Sequence, residues 1–417
     1  MIAVLVVAVA GWGYCRCLDR EAGPLESALV GAVVAAMALL ALDLLSIRWS
    51  ALSFLVALAV ISAPWFFRVA AAAPAAGRPK RAPLHVIAVH ACTAAVVAWH
   101  VAYALRPDLW DWTGWLISRR DFFFIWGYKA RLFFTMGGIP WSFLRSLPRD
   151  FTHPDYPLLV PLIFDIDAVL TGAWRPATLA AIDTALAVGL LAVVYRTLRD
   201  DFDALYAAAA TLALSGCALL PWVGFAEGPL VAYGGTAALL VRRALRGRAG
   251  SMPLAVFALA AAAMTKNEGM ALAAAIGIAL AMERRDLLMK MWPVAVVIAA
   301  WLAARAALDL PTDLFTGAVA ARVAHNLRAF PGAFATVPTY QPIVWIVSLL
   351  AAVPYLRRER FLLTVAAIQL LFYLAAYAIT PLDVVGHVNG SWPRLTSHVT
   401  IFIAFAGATS IGTMLER

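Results

Sequence analysis

Long apolar runs, each closed by a short polar or basic stretch, recur from one end of this chain to the other, and the strict alternation of a β-barrel is missing. Runs such as Ala28 to Leu45 and Leu363 to Ile379 are rich in Ala, Leu and Val and nearly uncharged. A hydrocarbon core about 30 Å thick takes about 20 apolar residues per helical crossing. Because lipid offers the backbone no hydrogen-bond partner, such runs are expected to be helices. The pattern predicts spans near 1–18, 28–47, 51–72 and 84–105, a polar excursion over 106–157, and further spans through 158–417. The sum is roughly 11 to 14 spans in one all-α polytopic domain, with no separate soluble domain and no internal repeat.

Composition agrees with this pattern. Of 417 residues, 63% are hydrophobic and 14% charged, too little polar surface to clothe a soluble domain of that size. The net charge of +9 is concentrated in short loops at 78–81, 242–248, 283–285 and 357–360, which is the signature of cytoplasmic loops and not of a nucleic-acid surface. Counting crossings from those loops puts 106–157, 221–228, 265–269, 309–340 and 381–397 together on the extracytoplasmic side of the inner (plasma) membrane. Parity allows one crossing where two apolar segments stand, Leu158 to Gly172 and Ala177 to Leu198, so one of them is expected to be a partial span. The segments flanking Lys266 are short, about 14 residues each, which suggests thinned or tilted helices around a water-accessible site. Met1 to Gly13 lacks a basic leader and a small-residue cleavage site and reads as a retained span. Cys15, Cys17, Cys92 and Cys217 have neither zinc nor disulfide spacing and read as packing residues.

The expected outer loops hold most of the unusual polar residues. The stretch from Arg119 and Arg120 through Asp121, Trp126, Tyr128, Lys129 and Arg131 is too aromatic for a linker and too charged for a span, and fits an interfacial amphipathic helix. At 100° per residue Asp121, Ile125 and Tyr128 share a face, with Lys129 and Arg131 to either side. Such a helix either snorkels its cations to headgroups with Asp121 as a cap, or presents Asp121 as a proton acceptor beside cations that hold a phosphate. In His153-Pro154-Asp155-Tyr156-Pro157 two prolines stiffen a polar mouth, or Asp155 serves a helix N-terminus. Glu227, then Lys266, Asn267 and Glu268, then His387 and Arg394, fall at further outward turns, where Arg394 could hold a phosphate with two parallel hydrogen bonds. Asp165 and Asp167 point about 200° apart in a helix and do not make a metal pair. Trp110, Trp112 and Trp115 suit either sugar stacking or interfacial anchoring.

Taken in order, DFFFIWGYKAR, HPDYPLLVP, FAEGPLVAYG and TKNEG resemble bacterial members of the GT-C glycosyltransferase superfamily, relatives of the dolichyl-phosphate-mannose protein mannosyltransferases. The resemblance covers roughly 115–400, while residues 1–105 match only as generic membrane helices. It implies a GT-C-like bundle and inverting transfer of a sugar from a polyprenyl-phosphate carrier to a glycan, lipid or protein hydroxyl on the extracytoplasmic face. It further implies Asp121 as catalytic base, with Lys129, Lys266 and Arg394 on the donor phosphate. His153, Asp155 and Tyr156 would shape the site beside the base, with Trp126, Arg131, Asn267, Glu268 and His387 also among its residues. Glu227 stands where the family often has Asp. With no clear D-x-D on the expected outer face, Mg²⁺ or Mn²⁺ is compatible with this chemistry but not required by the residues. The rival readings are a transporter or lipid flippase, which predicts charges near the midplane and inverted halves, and a His-centred membrane acyltransferase or ligase.

Overall fold

The computed structural model describes residues 2–72, 83–110, 121–146, 152–310 and 319–417. All regular structure among them is helical. The principal helices are α1 (Ile2–Leu18), α2 (Ser27–Leu44), α3 (Ala51–Ala72), α4 (Leu84–Ala104), α5 (Gly127–Met136), α6 (Leu159–Thr171), α7 (Pro176–Arg199) and α8 (Ala204–Ala218). They continue as α9 (Glu227–Leu245), α10 (Met252–Ala263), α11 (Asn267–Glu283), α12 (Trp292–Ala307), α13 (Val319–Ala335), α14 (Pro342–Ala352), α15 (Arg360–Ile379) and α16 (Val384–Leu415). The first four lie within three residues of the spans that hydropathy predicts.

Among the described residues, six helical segments are long and apolar enough to cross a membrane: α2, α4, α7, Arg285–Ala307, α15 and α16. Shorter apolar helices accompany them at Ile2–Leu18, Ala51–Trp65, Ala204–Ala218, Ala249–Ala263 and Pro342–Tyr355. The chain is therefore an all-helical, membrane-embedded protein. Of the two segments in conflict over parity, α6 has 13 residues and a length of about 20 Å, too short for a full crossing. α7, with 24 residues, is long enough. The Thr178 hydroxyl donates to Asp167 Oδ2 at 2.5 Å, holding the second half of α6 against the first turn of α7.

Two expected turns are helical instead. Residues 309–340 contain α13, whose Asn326 donates its amide to the carbonyls of Ala378 and Thr380 around the C-terminal end of α15. Residues 384–397 belong to α16, started by Asp383, whose side chain accepts from the Gly386 backbone at 2.7 Å. Their polar residues lowered the hydropathy below that of a span, but polarity alone does not break a helix.

Charge collects at both ends of α9. At its C-terminal end Arg242 donates through Nε and Nη2 to the two oxygens of Glu359, both at 2.8 Å. Arg243 reaches Asp200 at 2.5 Å and Glu21 at 2.7 Å, Arg196 reaches Asp19 at 2.8 Å, and Arg360 reaches Glu283 at 2.6 Å. These pairs join three of the four basic loops that charge counting assigns to one face; the fourth, 78–81, lies outside the described residues. The other end of α9 begins with Glu227, about 22 Å away along the helix.

Cys15 and Cys217 are buried as packing residues, and Cys217 donates to Gln341 Oε1 at 3.3 Å. Cys17 and Cys92 are exposed.

Candidate functional site

Four separate stretches of sequence meet at Glu227. The sharp turn between α10 and α11 brings in Lys266, and it is tight because residue 269 is glycine: a Cβ there would fall 1.8 Å from the Ala262 carbonyl oxygen. Lys266 Nζ lies 3.0 Å from Glu227 Oε1 and 3.1 Å from Glu268 Oε1. From α16, Arg394 reaches the same Glu227 oxygen at 3.5 Å, pairs with Asp121 Oδ2, and stacks its guanidinium over Phe225 at 5.4 Å. Pro393 precedes it inside the helix and removes one intrahelical hydrogen bond. Asp121 and Arg394 are partly exposed, whereas Glu227 and Lys266 are buried.

A second group joins this one through Asn267, whose amide donates to Asp155 Oδ2 at 2.9 Å. Asp155 Oδ1 faces His153 Nδ1 at 4.0 Å. His153 has φ of 42°, a left-handed conformation that is uncommon outside glycine and costs free energy, and the Lys129 ammonium restrains it by donating to its carbonyl at 2.5 Å. The rings of Trp126, Tyr156 and His153 form a stack, with centroids 5.3 Å and 4.7 Å apart. Lys129 lies beside Trp126 and Tyr156 at 5.7 and 5.9 Å and is fully buried. Its ammonium thus holds the HPDYP loop.

Burial lowers the Lys129 pKa to about 7, against an opposing pull from Asp155. It also lowers His153 and raises the Tyr156 phenol well above its ordinary range. Above about pH 7, and up to the ordinary lysine value of about 10.4, the unfolded chain binds a proton at Lys129 that the folded chain has released, so stability rises with pH. The thermal midpoint of the wild type relative to Lys129→Met is expected to climb between about pH 7 and about pH 9.5. A difference that stays flat across this range contradicts the assignment.

The geometry changes one expected face. Ile125 is buried, whereas Tyr128 and Arg131 are exposed. The reason is a π-helical turn over Phe122–Trp126, which turns less per residue than an α-helix and spoils the count from Asp121 to Arg131. His387 also stands apart, bonded to Thr380 at 2.9 Å and seven residues before Arg394, about 10 Å along α16. Trp110 donates to the Ala104 carbonyl at 2.8 Å and packs on Phe122, whereas Trp112, Trp115, Arg119 and Arg120 lie outside the described residues. Asp165 is buried with both oxygens unpartnered.

Three residues escaped the sequence reading. His398, one turn beyond Arg394, shares a hydrogen bond between its Nδ1 and the Tyr373 hydroxyl at 2.7 Å, and Gln369 of α15 donates to the Glu268 carbonyl at 3.2 Å. Gln369 is the single amide side chain of an otherwise apolar helix, which is the signal that could have found it. Among the described residues no group of three or more His, Cys, Asp or Glu side chains is placed to hold a metal ion, and the Lys266 ammonium sits between two of the carboxylates.

Comparison with protein-family models, with curated proteins and with solved structures gave no match.

Proposed function

We propose that the chain is an inverting GT-C-type glycosyltransferase of the inner membrane, with a bundle of roughly 11 to 14 spans, acting at its extracytoplasmic face on a polyprenyl-phosphate-linked sugar. The observation that carries this reading is the chain of contacts Asp121, Arg394, Glu227, Lys266: an accessible carboxylate and two cations, drawn from distant segments, at one end of the bundle.

The chemistry needs these groups. As the bond from C1 of the sugar to the phosphate oxygen breaks, the phosphate leaves as a monoester and the sugar gains oxocarbenium character. The acceptor oxygen attacks C1 from the opposite face, and its proton passes to Asp121. Arg394 and Lys266 stabilise the leaving phosphate. An arriving phosphate competes with Asp121 for Arg394, so donor binding loosens the carboxylate from its ion pair and frees it to face the acceptor hydroxyl. Glu227 retains both cations meanwhile.

The transporter reading draws on depth, since Arg394 and Gln369 stand ten residues in from one end of α16 and α15, about 15 Å. Purified protein incubated with radiolabelled polyprenyl-phosphate sugars and a membrane extract decides between them. Incorporation of label into a lipid, glycan or protein hydroxyl is the expected result. Failure with every donor, accompanied by substrate flux in proteoliposomes, overturns it.

The sidedness has its own test. In a cysteine-free background, Tyr128→Cys and Leu382→Cys are expected to react with an impermeant thiol reagent in intact cells, and Arg248→Cys and Arg284→Cys only after permeabilisation. All four positions are exposed, so a common response from the four contradicts opposite-face placement.

A further inference from the structure

Beneath the Asp121–Arg394 pair lies a seam of buried acceptors that no ion pair satisfies. Glu227 Oε2, Glu268 Oε2, Asn267 Oδ1 and Gln369 Oε1 are all buried without a hydrogen-bond partner; His398 Nε2, a ring nitrogen that donates or accepts with the tautomer, is likewise unpartnered. They share one anchor. Lys266 holds the other oxygen of Glu227 and of Glu268, Asn267 is its sequence neighbour, and Gln369 donates to the Glu268 carbonyl. The amide orientations follow from their donors: with Nδ2 of Asn267 on Asp155 and Nε2 of Gln369 on Glu268, the oxygens are the atoms left over.

An unpaired buried acceptor is costly, and four around one lysine are far more than an isolated packing defect. All four are oxygens, so a ligand that satisfies them must bring hydrogen-bond donors. An anionic phosphate brings none. A metal ion would compete with the Lys266 ammonium, which already stands between the two carboxylates. A ring carrying several hydroxyl groups supplies donors at close spacing.

We infer that Glu227, Asn267, Glu268 and Gln369 form a saccharide subsite that accepts hydroxyl hydrogens, next to and distinct from the phosphate-facing edge of Arg394. Gln369 is its specificity-determining member, fully buried and reaching in from α15. This rests on the transferase reading for the identity of the bound sugar, but not for binding as such.

The test separates the two. Binding of a panel of methyl glycosides and their monodeoxy forms to purified full-length protein is measured by saturation-transfer NMR, alongside transfer kinetics with polyprenyl-phosphate sugars. Gln369→Leu is expected to weaken binding of at least one glycoside by roughly tenfold and to erase the preference over the corresponding deoxy form. In transfer assays the same change raises KM for the donor more than it lowers kcat. Equal glycoside affinity in wild type and Gln369→Leu, with transfer intact, overturns the subsite and leaves the transferase standing, the seam then holding ordered water only. Gln369-dependent glycoside binding without transfer from any donor sustains the subsite and overturns the transferase. To separate loss of the subsite from loss of folding, the thermal midpoint of Gln369→Leu is compared with the wild type; an unfolded variant passes the decision to Asn267→Ala, read in the same way.

Discussion

Asp121→Asn is expected to lower sugar transfer by about 10²-fold or more, a barrier increase of about 2.7 kcal/mol or more, while KM for the donor changes little. The substitution keeps the shape of the side chain and removes its ability to take a proton. It breaks the ion pair with Arg394, but Glu227 still faces the same guanidinium nitrogen at 3.5 Å, so the cation keeps a partner and the fold keeps its stability. Loss of activity with an unchanged thermal midpoint marks Asp121 as the base. Equal incorporation of labelled sugar by wild type and variant removes it from that role.

The largest expected effect on stability lies at the other end of the molecule. Glu359 has a fully buried side chain that accepts from both Arg242 and Arg246, and Arg242 is itself buried. Glu359→Ala leaves the buried Arg242 with Asp201 at 3.1 Å as its remaining carboxylate, and is expected to cost about 3–5 kcal/mol. Thermal or denaturant unfolding in detergent measures it, and a loss below about 1 kcal/mol would place the pair among those whose attraction merely balances desolvation. Transfer by the surviving folded fraction should keep its KM, since these groups do not touch the site.

Much of this was legible beforehand for a simple reason. Crossing a bilayer demands long apolar runs, so the limits of α1 to α4 follow from hydropathy, and the basic loops that charge counting grouped do pair with the same acids. The meeting of Asp121, Glu227, Lys266 and Arg394 was also foreshadowed, because parity put all four at one end. Hydropathy averages over a window, however, and cannot report a single turn. The π turn that displaces Arg131, and the continuation of α16 through the polar stretch around Arg394, both fell below that resolution. Lys129 shows another limit: its residue type suggested a phosphate ligand, while its burial and its bond to the His153 carbonyl depend on a loop 24 residues away.

α9 bears on how this protein can move. Every residue from Glu227 to Leu245 except Gly228 and Leu245 is buried, and the helix is pinned at one end by Lys266 and Arg394 and at the other by Glu359, Asp201 and Asp200. A shift of one helical turn, about 5.4 Å, would unseat both sets of pairs at once. It is the stator of the assembly. Displacement falls instead to elements with little of their surface inside the bundle, of which α4, with 6% of its span buried, and the Arg285–Ala307 segment, with 22%, are the most weakly held of the six long apolar segments.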